Sequence, residues 1–98
     1  MTENAIQMRI IKKLRTAFPD WFVFPMDGSV YQGFPDILIL FEDTYATLEV
    51  KQCEGSEKQP NQVYYIELFG SWVFSSFIWP DIEEEVLYEL QQTLLSRR

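Results

Sequence analysis

The chain has 98 residues with eight basic and 15 acidic side chains, a net charge of −7, one cysteine and no histidine. That composition excludes a Cys/His zinc site, a histidine-dependent triad and an intramolecular disulfide, and it argues against a general nucleic-acid binder, which is usually basic. Hydrophobic residues at 47% and aromatics at 16% supply enough apolar surface to offset the entropy of ordering, so one domain over residues 1–98 is expected to fold without staples.

No segment approaches the roughly 20 apolar residues needed to span a bilayer, and the N-terminus lacks the apolar core of a signal peptide. A cytoplasmic protein with Cys53 as a free thiol is expected. Acid–base or metal chemistry must then use carboxylates, lysine and water.

Residues 3–17 read as an amphipathic helix, with Thr2 as N-cap, Ile6, Ile10, Leu14 and Phe18 every fourth position, and Pro19-Asp20 as the stop. Half of the basic residues, Arg9, Lys12, Lys13 and Arg15, fall in this helix, so a local basic face can exist in an acidic chain. "WFVF", residues 21–24, suits a buried strand, and "PMDGSVYQG" is a loop marked by Pro25, Gly28 and Gly33.

"DILILF" and "YATLEVK" then form a hairpin turning near Glu42, Asp43 and Thr44, followed by the polar "QCEGSEKQ". Pro60 suits the first turn of a second helix that runs to about Phe69 and stops at Gly70. "SWVFSSFIW" is a further strand. Pro80 and Asp81 open a last helix, and its run Glu83, Glu84, Glu85 reads as a solvated helix start that complements the dipole. The order α-β-β-β-α-β-α predicts a mixed α/β domain with helices flanking one sheet.

The hairpin carries charges where a buried strand prefers Val or Ile. Glu49 and Lys51 share one face of their strand, with Leu48 and Val50 on the other. If the hairpin turns about the Asp43-Thr44 step, Asp36 lies opposite Lys51 and diagonal to Glu49, and the three converge. Two crowded carboxylates in a partly buried site repel each other and resist ionisation, a conflict that a hard divalent cation such as Mg²⁺ resolves.

The helices point the same way. Glu3 projects into the middle of the Ile6, Ile10, Leu14 stripe, and Gln62 among Tyr65, Ile66 and Phe69 on the face that the second helix should bury. Taken singly, each of these residues has an ordinary explanation: a strand-start cap at Asp36, an exposed charge pair for Glu49 and Lys51, a frayed terminus for Glu3, a backbone partner for Gln62. Their coincidence suggests one shared site.

Pro35-Asp36, a strand, a turn and Glu49-Val50-Lys51 resemble the motif of the PD-(D/E)xK nuclease superfamily. The wider pattern is similar to its virus-type replication-repair nuclease (VRR-NUC) branch: an acidic residue in the N-terminal helix at Glu3, then Gly33-Phe34-Pro35-Asp36, then Glu49-Val50-Lys51, then Gln62 in the next helix, with Gly70 at the break before the following strand. The resemblance runs from Glu3 to about Phe77. The loop "PMDGSVYQ" departs from it by lacking the basic residue that members often carry.

The resemblance implies a small restriction-endonuclease-like core and an Mg²⁺- or Mn²⁺-dependent endonuclease acting on branched, junction or flap DNA in replication, recombination or repair, in a bacterial or phage-infected cell. Asp36, Glu49 and the carbonyl of Val50 would hold one or two metal ions. Glu3 would be a further ligand, direct or through water. Lys51 would orient or activate the attacking water, and Gln62 would position Lys51 or the nucleophile. Arg9, Lys12, Lys13, Arg15 and Lys58 are the candidates for phosphate contacts.

Members of this group often act as symmetric pairs, so a homodimer is expected; the "SWVFSSFIW" strand or the last helix could form its interface, and plain core packing explains those aromatics just as well. Two other readings stay open: an acidic interaction protein or DNA mimic on a nuclease fold, favoured by the charge of −7, and a metal-binding structural or regulatory module without turnover.

Overall fold

The computed structural model describes residues 1–27 and 31–96. Helix α1 (Glu3–Ala17) starts where expected, because Thr2 sits in extended backbone and its hydroxyl accepts the Ala5 N–H at 3.0 Å. Its Ile6, Ile10, Ile11 and Leu14 are buried. Strands β1 (Phe22–Pro25), β2 (Ile37–Phe41) and β3 (Thr44–Val50) follow, then α2 (Pro60–Trp72), β4 (Ser75–Ile78), a 3₁₀ turn at Pro80–Ile82 and α3 (Glu83–Ser96). This is the predicted order α-β-β-β-α-β-α.

The strands lie in the order β1-β2-β3-β4. The first three are joined antiparallel and β4 runs parallel to β3. A parallel neighbour needs a crossover. Helix α2 supplies it and packs against β3 and β4.

One sheet face carries Val23, Ile37, Ile39, Ala46, Leu48, Val50 and Ile78 into the core with α1 and with Val86, Leu90 and Leu94 of α3. Burial of this apolar stripe, at roughly 25 cal/mol per Å², is the main stabilising term. The other face carries Thr47, Glu49 and Lys51 beneath α2, and no residue of α2 itself is fully buried.

Four details differ from the sequence-based expectation. The "WFVF" stretch is not a buried strand: β1 lies at the sheet edge with Val23 buried and Phe22 and Phe24 exposed. The hairpin turns one residue earlier, at Glu42-Asp43, with Phe41 paired to Thr44. Glu42 takes a left-handed φ of 54° there, and the Thr44 hydroxyl donates to the Phe41 carbonyl at 2.6 Å. The pairing moves by two residues, an even number, so every side chain keeps its predicted face.

Helix α2 passes through Gly70, which a helix tolerates at about 1 kcal/mol. It ends at Val73, whose N–H bonds the Phe69 carbonyl at 3.1 Å, so β4 is shorter than "SWVFSSFIW" suggests.

The acidic helix start is not wholly solvated. Glu83 is buried and receives Arg9 Nη2 at 2.5 Å and Lys13 Nζ at 3.2 Å, which pins α3 to α1.

Candidate active site

The site forms where β2 begins and β3 ends. Extending the Ile37–Leu48 pairing outward by one residue brings Asp36 level with Glu49 rather than with Lys51. Asp36 is held from both ends. Its Oδ2 accepts the Val50 N–H at 2.8 Å, while its carbonyl accepts the Met26 N–H at 2.8 Å and Gln7 Nε2 at 3.2 Å.

The segment before it is clamped to α2. Gly33 adopts φ 87°, and a Cβ there would meet Asn61 Cγ at 2.6 Å and the Asn61 carbonyl carbon at 2.9 Å. Asn61 Nδ2 in turn donates to the Gln32 carbonyl at 2.9 Å. Only glycine fits between a left-handed backbone and a helix this near. The Gly-Phe-Pro-Asp run therefore docks on the helical turn that carries Gln62.

Glu49 is 3% exposed and Lys51 5% exposed. Both are bound to Gln62: Lys51 Nζ donates to its Oε1 at 2.9 Å, and its Nε2 donates to Glu49 Oε2 at 3.1 Å. The Gln59 N–H also donates to Gln62 Oε1 at 2.9 Å, inside the capping box that starts α2. One amide, fixed by a helix cap, thus spaces a buried carboxylate and a buried ammonium.

Burial first, then the adjacent Asp36 carboxylate and a hydrogen bond with it, push the Glu49 carboxyl up to about 9, while Lys51 pulls it down and Glu3 adds a small upward push. Without a cation, Glu49 keeps its proton at neutral pH. Two carboxylates crowded in this way suit Mg²⁺, which binds through one or two carboxylates and keeps several waters.

Val50 faces its side chain into the core and lends its N–H to Asp36. Glu3 is exposed at the first position of α1 and acts on Glu49 only through space. Among the described residues, no group of three acidic, histidine or cysteine side chains converges as a metal cluster.

Four of the five expected phosphate-binding residues have other engagements. Arg9 and Lys13 meet Glu83, and Arg15 Nη2 donates to the Val23 carbonyl at 2.6 Å. Lys58 Nζ lies 5.4 Å above the Phe77 ring and 5.1 Å above Trp79. Lys12 is exposed.

Three positioning residues escape the sequence reading. Gln7 lies one turn after Glu3 on α1, Gln59 is the N-cap of α2, and Asn61 is its second residue. A polar residue beside a helix end is ordinary, so only the pairing of Gln59 with Gln62 at capping-box spacing signals any of them.

A four-stranded mixed sheet with helices on both faces and an Asp, a Glu and a Lys gathered at one end has the architecture of a small nuclease core. Solved structures with the same fold are VRR-NUC domains. One, described as a "VRR_NUC domain protein", has a TM-score of 0.69 at 18% identity, covering 95% of this chain and 88% of its own. A second, described as a "VRR_NUC domain", has a TM-score of 0.66 at 20% identity, covering 93% and 97%. The chain has the VRR-NUC fold. No protein-family model and no curated protein matches the sequence.

Proposed function

We propose that the chain is a divalent-metal-dependent DNA endonuclease that hydrolyses phosphodiester bonds in branched, junction or flap DNA, as a homodimer, in replication, recombination or repair. The observation that carries this reading is the Gln62 bridge between buried Glu49 and buried Lys51 beside Asp36. A solely structural domain gains nothing from holding a carboxylate and a lysine out of water beside a second, half-buried carboxylate in this way.

Mg²⁺ or Mn²⁺ held by Asp36, Glu49 and the Val50 carbonyl, with Glu3 reached through water, would polarise the scissile phosphate and acidify the attacking water. Lys51 has three donor hydrogens and gives one to Gln62, so two remain to orient the nucleophile and to offset negative charge developing on the phosphate. Gln62 fixes the direction of that ammonium. Gln7 and the Val50 N–H fix Asp36 from opposite ends.

The acidic interaction protein is favoured by a different observation: two of the four basic side chains of α1 are bound to Glu83, which leaves an acidic surface poorly suited to phosphate. The two readings separate on a panel of labelled single-stranded, duplex, flap and four-way-junction DNAs in Mg²⁺, Mn²⁺ or EDTA. Cleavage that needs metal and is lost in Glu49→Ala and Lys51→Ala supports the nuclease. Intact DNA in every lane, wild type included, favours the interaction protein.

A further inference from the structure

Helix α2 covers β3 and β4, and among the described residues the same sheet face over β1 and β2 is uncovered and apolar. Phe22, 65% exposed, stacks on Phe24 with ring centroids 6.4 Å apart and pairs across the ladder with Leu40. Leu40 pairs with Tyr45, Tyr45 meets Phe69 edge-on at 6.5 Å, and Phe69 meets Trp72 at 5.6 Å. Trp72 is 57% exposed at the end of α2. A groove of about 430 Å³ runs between Leu40 and Trp72.

We propose that this face is the surface through which two copies of the chain pair about a two-fold axis. An aromatic side chain presents 150–250 Å² when bare. At their observed exposures, Phe22, Phe24, Leu40 and Trp72 alone show roughly 400 Å² to water. That is about half of what one partner contributes to a standard interface, and it forms the apolar centre such an interface needs.

The chemistry of the patch favours a copy of itself. The Phe22, Phe24, Leu40 and Trp72 side chains carry no charge, and Glu42 and Asp43 are among the residues that line the groove, which repels phosphate and leaves apolar-on-apolar contact as the attraction. An isologous pairing supplies that contact from the same residues twice.

Pairing goes through the face and not the strand edge. The Val23 carbonyl on the outer edge of β1 is already occupied by Arg15, which blunts strand addition. The proposed interface therefore differs from β4 and α3, the two candidates the sequence offered, although Trp72 comes from the "SWVFSSFIW" stretch. This proposal gives the homodimer in the proposed function its surface, and its test needs no substrate.

Analytical ultracentrifugation of the full chain over a dilution series decides it, with Phe22→Glu and Trp72→Glu as variants and Tyr88→Glu, an exposed aromatic on α3 outside the patch, as control. Wild type and Tyr88→Glu are expected to sediment as dimers, and each patch variant at half that mass with an unchanged circular-dichroism spectrum.

If a variant loses its fold, the difference in tryptophan emission between wild type and Trp72→Phe is read instead. A Trp72 component that shifts to the red on dilution supports the interface. A wild type that stays monomeric, a dimer that survives both patch variants, or Trp72 emission indifferent to dilution overturns the proposal. A monomeric wild type that cleaves DNA would overturn the interface and leave the nuclease standing, and a dimeric wild type that leaves every DNA intact would do the reverse.

Discussion

In the proposed reaction, Glu49 is the residue on which the chemistry turns. Its carboxyl is pushed from the ordinary 4.5 to about 9, chiefly by burial and then by Asp36. A raised pKa means that the folded state keeps a proton the unfolded chain releases. The stabilisation is complete below about pH 4.5 and is lost as pH rises through about 9. In EDTA, the thermal midpoint is therefore predicted to fall across that window. A divalent cation replaces the proton, so stabilisation by Mg²⁺ or Mn²⁺ is predicted to grow over the same range. Glu49→Gln should flatten both trends, and differential scanning fluorimetry across pH, with and without metal, reads them directly.

Gln62 acts through its neighbours. Gln62→Ala is predicted to lower cleavage about 10–100-fold, the usual cost of removing a group that orients a metal ligand. Lys51→Ala should cost about 10²–10⁴-fold, as for loss of a general acid–base group. Single-turnover rates on one substrate would compare them, and a Gln62→Ala rate equal to wild type would remove Gln62 from the mechanism. Asp36, Glu49, Lys51 and Gln62 were legible in the sequence because each breaks an apolar period that the fold otherwise obeys. Gln7, Gln59 and Asn61 break none, and their contacts exist only once α1 and α2 are placed around Asp36.

At the scale of elements, the site depends on α2 docking against the loop before β2. Gly33→Ala places a Cβ 2.6 Å from Asn61 Cγ on a left-handed backbone. It is predicted to cost about 1–3 kcal/mol of stability and to loosen the Asp36 segment. Gly55→Ala, with nothing within 4 Å of the added Cβ, should change stability by less than about 0.5 kcal/mol. Equal midpoints for the two in urea unfolding would contradict the clamp.

Element order and the first helix were readable because strong periodicity and a Thr2 cap agree. The hairpin register was not, because Glu42, Asp43 and Thr44 are all acceptable turn residues. Choosing among them took the left-handed φ at Glu42 and the Thr44 hydroxyl bond. Gly70 misled for the opposite reason: a glycine that caps many helices is here merely tolerated inside one.

For the whole molecule, the distribution of charge matters more than its sum. Arg9 and Lys13 look available for DNA in the sequence, yet Glu83 lies 74 and 70 residues further along the chain and claims both. No local pattern reveals such a pairing. Removing Arg9 and Lys13 together leaves Glu83 buried without a partner, and the double alanine variant is predicted to lose about 1–3 kcal/mol of stability. Lys12→Ala should leave stability within about 0.5 kcal/mol. If α1 faces DNA, it should weaken binding alike for every sequence and reduce the salt dependence. Urea unfolding and a salt-titrated binding assay on both variants keep structural and phosphate roles apart.

Among the described residues, no helix is long and apolar enough to cross a membrane. What α1, the hairpin and α2 assemble between them is a carboxylate pair and a lysine at one end of a sheet.

The most direct test is cleavage of a labelled four-way junction by purified wild-type protein in Mg²⁺, with EDTA and Glu49→Gln lanes beside it. Metal-dependent products from wild type, absent with EDTA and with the variant, are the predicted result. Intact junction in the presence of folded wild-type protein and metal, or products that persist in Glu49→Gln, would contradict it.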